Sequence, residues 1–377
     1  MPSSMNAIDS LILTQAERYP KLNTQDVVKA LYQNEFGCGH FVTDSEEGYQ
    51  WLLNEAKESR LARRESEPPF IEPLGEAFSR VHLSELNASG LSLRTLFKLF
   101  VLSGQAECGD LAALTAQLER IDALCAEGKL PLDPEDTLRF LLEYKKNGCP
   151  ATHHSTAFRR YYAPAYRVVR SSICRWIPIL AQIDALHSKQ PLTLVAIEGG
   201  SASGKTTLAS FLHTIYDCNV FHMDDFFLRP HQRTAQRLAE PGGNVDYERF
   251  KAEVLDQLCA NIPFCYQAFD CMTQTLKEPT QVQPKSINII EGAYSMHHTL
   301  ARAYDFSIFL TIDETNQRKR IFSRNDPGMQ KRFIETWIPL ENAYFTQTET
   351  TAQCTVIADG CSVPYTSNAV ARKEIEI

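Results

Sequence analysis

The sequence predicts an α/β protein in two parts: a mostly α-helical domain over residues 1–188, then a doubly wound parallel-sheet domain over residues 189–377. Three observations carry this. Before residue 190 the apolar residues recur mainly at helical spacing. After Pro191, short β-branched apolar runs alternate with helical stretches, the order that gives a parallel sheet covered on both faces. Between the first of those runs and the helix after it lies a glycine-rich loop, at the strand end where open α/β sheets bind ligands. Length agrees, because a single core rarely grows past about 250–300 residues and this chain has 377.

In the first half, Asn23 precedes Val27, Val28, Ala30 and Leu31, and Asp26 stands where a capping box needs an acid. Leu111, Leu114, Leu118, Ile121 and Leu124 fall on one face of a second helix. Residues 91–103, 134–146 and 166–187 also read as helical, and the proline-rich 65–75 as a turn or loop. Pro191 restricts Gln190 to extended conformations, so the last of these helices is expected to stop there. In the second half, strands are expected at 192–200, 219–223, 286–291, 306–312 and 354–358. Helices are expected near 205–216, 246–260 and 316–324, and right-handed crossovers then wind the sheet both ways.

Hydrophobic residues make up 44% of the chain and charged residues 22%, which excludes a disordered or collagen-like protein. A formal net charge of -8 argues against general nucleic-acid binding, which needs a basic face. The eleven cysteines contain no CxxC pair and fit neither a zinc ribbon nor a disulfide framework, so reduced thiols are expected. The first twenty residues lack the basic start and apolar core of a signal peptide, and no stretch approaches the roughly 20 apolar residues of a membrane span. The expectation is a cytoplasmic protein with neither nucleic-acid nor membrane partners.

Gly199, Gly200, Ser201, Ala202, Ser203, Gly204, Lys205 and Thr206, followed by Thr207, match G-x4-G-K-[ST] between a strand and a helix. The glycines let the backbone curl around phosphate oxygens, and the helix start adds its positive end. Lys205 is expected at the β- and γ-phosphates, and the Thr206 hydroxyl on Mg²⁺. The second strand runs into Asp224 and Asp225, suited to a metal or to proton acceptance from an attacking hydroxyl; a turn-capping role is the plain reading of Asp225. Ile289-Ile290-Glu291 has the form of a Walker B strand whose acid holds Mg²⁺. Arg318, Lys319, Arg320 and Arg324 share a helix with spacings that suit phosphate charge, with Lys331 and Arg332 beyond a turn that could close as a lid.

Residues 192–360 resemble the uridine kinase family and its relatives, phosphoribulokinase and nicotinamide riboside kinase. GGSASGKTT (199–207), MDDFF (223–227), GGNVDYERF (242–250), IIEG (289–292) and IDETNQRKRIFSRN (312–325) carry the resemblance, with WIPLENAYF (337–345) and VIADG (356–360). It implies a P-loop kinase domain that uses ATP and Mg²⁺ to phosphorylate a hydroxyl of a small molecule, usually a ribose 5′-hydroxyl. It implies further that Asp224 orients or deprotonates the hydroxyl, that Asp246 grips ribose hydroxyls, and that Arg320 and Arg324 contact phosphates or the lid. In the segment that reads the pyrimidine, 266–278, uridine kinases carry a Tyr and a His, and this chain has Phe269 and Gln274. The acceptor is therefore expected to be a nucleoside, another riboside or a related alcohol. No NKxD, LSGGQ, HRD or DFG element marks another nucleotide-binding class. The alternative is a regulatory protein in which the nucleotide half gates the helical half.

The helical half is less informative. Glu35-Phe36-Gly37-Cys38-Gly39-His40 follows a helix, and His153 and His154 open a segment carrying Arg159, Arg160, Arg167 and Arg170 among Tyr161, Tyr162 and Tyr166. An anion or nucleotide pocket is one reading. The plainer one is a glycine-shaped helix exit, structural histidines and paired arginines. Cys38 and His40 lack the two further ligands that a zinc site needs. Ligand sensing, homo-oligomer formation and a second active site all stay open for this half.

Overall fold

The computed structural model describes residues 6–38, 44–105 and 109–363. The chain divides into two compact units, Met1–Asp184 and Ala185–Ile377.

In the first unit, helices Ala7–Arg18, Thr24–Phe36, Leu111–Ala126 and Pro134–Lys146 bury Ile12, Val28, Leu31, Leu114, Leu118, Ile121 and Leu141 in one core. The Asn23–Asp26 capping box is present, and Gly37 ends its helix at φ +66°. The unit is mostly helical, as expected, and adds a three-stranded antiparallel sheet that the sequence reading did not place: β1 (Ile71–Leu74), β2 (Phe78–His82) and β3 (Tyr166–Arg170) pair in the order β1-β2-β3. β1 lies within the segment expected to be a loop, and its Pro73 is tolerated because β1 is an edge strand. β3 lies where a helix was expected, and the helices after it are two, Ser171–Cys174 and Ile177–His187. Strands of four or five residues are too short for a period of two to be distinguished from a helical one.

This unit also buries a polar network. The Glu72 carboxylate, on β1, accepts from Gln15 Nε2 at 2.7 Å, Tyr19 Oη at 3.1 Å and His82 Nε2 at 2.8 Å. It pairs with Arg80 at 3.6 Å and Arg18 at 3.3 Å. Burial works against the charged carboxylate, yet the Arg80 charge and the His82 and Gln15 hydrogen bonds hold its pKa well below the usual range. The Arg80 guanidinium, itself buried, also donates to Gln33 and Gln15 and lies 4.8 Å from the centre of the Tyr166 ring.

In the second unit, β4 (Thr193–Gly199), β5 (Cys218–His222), β6 (Ile287–Glu291), β7 (Phe306–Thr311) and β8 (Val356–Asp359) form a sheet in the order β8-β7-β4-β6-β5. Every pairing is parallel, so all five strands end at the same edge. β4 is central and buried throughout. The register sets Glu291 opposite both Ile197 and His222. Phe221, Phe226, Phe250, Val254, Ile290 and Tyr344 pack a core beside the sheet. The helix expected over 246–260 is interrupted: Tyr247–Phe250 and Asp256–Ala260 flank a π turn at Lys251–Leu255. Among the described residues no helix is long and apolar enough to cross a membrane.

Candidate functional site

The glycine-rich loop leaves the end of β4 and enters helix Lys205–Ile215. Gly199 and Gly204 adopt φ of +146° and +105°, and a Cβ at Gly199 would meet the Leu310 carbonyl oxygen at 2.5 Å. Gly360, after β8, comes so close that its Cβ would fall 1.9 Å from the Ser203 oxygen. Side chains hold the loop's carbonyls: Lys205 Nζ donates to Gly199 and Gly200 at 2.8 and 2.9 Å, Gln317 Nε2 to Ser201 at 2.9 Å, and Arg320 to Ala202 at 2.9 Å. The first N–H groups of a helix have no intrahelical partner, so the start at Lys205, Thr206 and Thr207 offers donors to an anion. Arg324 is exposed, and no hydrogen bond or ion pair among the described residues brings it to the loop; Arg320 is the helix arginine that reaches it.

Beside the loop, the Thr206 hydroxyl donates to Glu291 Oε1 at 3.0 Å, and His222 Nδ1 lies 2.5 Å from the same oxygen. These hydroxyl and carboxylate oxygens suit Mg²⁺, which takes one or two carboxylates and leaves its other positions to phosphate and water. Among the described residues no cluster of three or more His, Cys, Asp or Glu could hold a metal alone. Asp224 and Asp225 follow β5 in a 3-10 turn, Asp224 exposed and Asp225 half-buried, and the Asp225 carbonyl accepts from Arg249 at 3.2 Å.

Asp246 is only 2% exposed. Its Oδ1 caps the following helix by accepting from Arg249 N–H at 3.2 Å, and its Oδ2 accepts from Gln232 Nε2 at 2.8 Å. Leu228, Gln232, Arg237, Glu240 and Glu248 line with it a cleft of about 460 Å³. Phe269 is buried, with Arg233 5.8 Å from its ring centre. Gln274, at φ +56°, donates to the Cys271 carbonyl and so closes its own turn.

Three partners escaped the sequence reading. Glu341 accepts from both the N–H and the hydroxyl of Ser201, at 2.7 and 2.6 Å, and burial pushes its pKa up. His222 was visible only as part of a strand. Glu198 ends an otherwise apolar run, and a lone acid in such a run was the signal available.

In the first unit His154 is buried, stacked on Phe158 at 4.1 Å, and bonded to Asp26 at 3.0 Å and Tyr166 at 2.6 Å. Burial pushes its pKa down to about 4. His153 is exposed, and its carbonyl accepts from Gln25. The arginines scatter: Arg167 pairs with Glu55 at 2.7 Å, Arg170 donates to the Ser103 carbonyl, and Arg159 and Arg160 are exposed. His40 and Gly39 lie outside the described residues.

No family model and no curated protein matches this chain. Among solved structures it is similar to a possible uridine kinase from Bacillus stearothermophilus, at 23% identity and a TM-score of 0.36 over 48% of this chain and 99% of that one. It is also similar to a candidate fructose transport system kinase from Silicibacter sp. TM1040, at 22% identity and a TM-score of 0.36 over 45% of this chain and 91% of that one.

Proposed function

We propose that the second unit is an ATP- and Mg²⁺-dependent kinase that phosphorylates a hydroxyl of a small molecule, a riboside or related alcohol. The observation that carries this is the convergence, at one sheet edge, of a phosphate-type loop with Lys205, the Thr206–Glu291 oxygen pair and the exposed Asp224. When bound, Mg²⁺–ATP supplies the phosphoryl group and part of the charge neutralisation. Lys205 exchanges the Gly199 and Gly200 carbonyls for phosphate oxygens. Thr206 and Glu291, with Asp225, would hold the metal. Arg320 keeps the loop in shape through Ala202. Asp224 accepts the proton of the attacking hydroxyl. Asp246 would receive hydroxyl donors of the acceptor once Gln232 yields its place, and Phe269 and Gln274 would meet a base, the role that the family resemblance implies for their segment. Transfer works by positioning and electrostatics, the two devices that phosphoryl transfer needs most.

The test is a mass-spectrometric screen of nucleosides, ribosides, sugar phosphates and polyols for the mass gain of one phosphoryl group. A product from the native chain, absent with Lys205→Ala, is expected. No product from any hydroxyl compound, with Mg²⁺–ATP still bound, would refute the reading.

A further inference from the structure

A carboxylate buried in an apolar strand is costly unless its oxygens are well supplied with donors. β4 carries such a group. Glu198 is fully buried, one residue before the phosphate-binding loop, and the transfer proposed above does not use it. Its Oε1 accepts from Gly199 N–H at 2.8 Å and Tyr294 N–H at 3.2 Å. Its Oε2 accepts from Met296 N–H at 3.0 Å and lies 3.5 Å from the Tyr344 hydroxyl. Burial pushes its pKa up to about 7, against the pull of the Met296 and Gly199 amides and the Lys205 charge. One carboxylate thus joins the start of the loop to the segment that follows β6.

That segment, 292–298, needs holding. Tyr294 has φ of +72°, a left-handed conformation disfavoured for any residue with a Cβ. Its amide and the one two residues on both end on Glu198. The segment also supports both acidic groups of the acceptor side. Gly292 lies so close to Met223, the residue before Asp224, that its Cβ would fall 2.7 Å from the Met223 Cβ. His297 stacks at 3.9 Å and 15° on Tyr247, the residue after Asp246.

We infer that Glu198 is a positioning residue: it ties the phosphate-binding loop to segment 292–298, and through that segment it sets Asp224 and Asp246 for the acceptor. The acceptor part of this inference rests on the kinase reading above.

The test is residue-resolved amide hydrogen exchange on the full chain, with and without Mg²⁺–ATP, for the native protein, Glu198→Gln and Glu198→Ala. Glutamine keeps the shape but offers an acceptor on one side only, so its amide group must face one set of donors. Losing a hydrogen bond to a charged acceptor should speed exchange at Tyr294 or Met296 roughly tenfold or more. Exchange at Val195 and Ile289, in the sheet interior, should stay unchanged. In Glu198→Ala both amides should be faster. Mg²⁺–ATP should slow exchange at 294 and 296 in the native chain and not in Glu198→Ala. With an acceptor from the screen, Glu198→Gln should raise KM for the acceptor severalfold and leave Kd for Mg²⁺–ATP nearly unchanged. Equal exchange at 294 and 296 in all three proteins would overturn the inference, as would acceleration spread evenly over the sheet. If alanine prevents folding, the isosteric glutamine decides. If the native chain bound no Mg²⁺–ATP, the kinase reading would fall, and the comparison of variants without nucleotide would still decide whether Glu198 holds the segment.

Discussion

Glu72→Gln is the sharpest test of the buried network in the first unit. The substitution keeps the volume and removes the charge. Glu72 is fully buried and Arg80 is 1% exposed, so the guanidinium would lose its buried counter-ion without gaining water. Breaking a buried pair in this way costs about 3–5 kcal/mol. The amide also turns one acceptor oxygen into a donor. Tyr19 and His82 can adapt by accepting, whereas Gln15 Nε2 needs an oxygen to remain opposite it. A domain has roughly 5–15 kcal/mol in all, so the loss is a large share of it. Urea unfolding followed by fluorescence suits the measurement, because Trp176 is buried in this unit. With a urea slope of about 1–3 kcal/mol/M, the midpoint should fall by roughly 2 M. Adding Arg80→Gln should recover much of the loss, since the double variant buries no unpaired charge. A loss under about 1 kcal/mol, or a double variant no more stable than the single one, would show that the pair is not what holds this network.

Other outcomes follow from the same geometry. Asp224→Asn should cut turnover of the true acceptor by about 10² or more, the scale of a general base, with little change in ATP affinity; retained turnover would remove Asp224 from that role. On the kinase reading, Glu291→Gln should weaken Mg²⁺–ATP binding about tenfold or more and metal-free ATP binding far less, because the lost charge would serve the metal; titration calorimetry with and without Mg²⁺ separates the two. Burial depresses the His154 pKa from 6.5 to about 4, so between those values the unfolded chain binds more protons than the folded one. Stability of the first unit should then fall as pH drops through that window, by up to about 3 kcal/mol, and His154→Gln should flatten the fall; urea midpoints measured across the window read it directly.

Where a feature was written in consecutive residues, the sequence by itself determined it. Gly199 to Thr206 sets a loop whose backbone only glycines permit at two of its turns, and the helix must begin at Lys205. Asn23 and Asp26 start their helix three residues apart. The alternation of apolar runs and helical stretches decided the parallel sheet. Partner choice among buried polar groups was different. Gln15 meets Glu72 across 57 residues, Glu198 meets Met296 across 98, and Ser201 meets Glu341 across 140. No local pattern encodes such pairs, because they exist only once the core brings distant segments together. The same holds for Arg320 and Arg324, which the helix repeat treats alike and only the folded loop tells apart. It holds also for Asp246, whose free carboxylate in the sequence becomes a helix cap bonded to Gln232. Backbone sterics and side-chain periodicity act over a few residues and can be read in order. The burial that makes a polar group find its partner acts across the whole fold, and only the tertiary structure decides it.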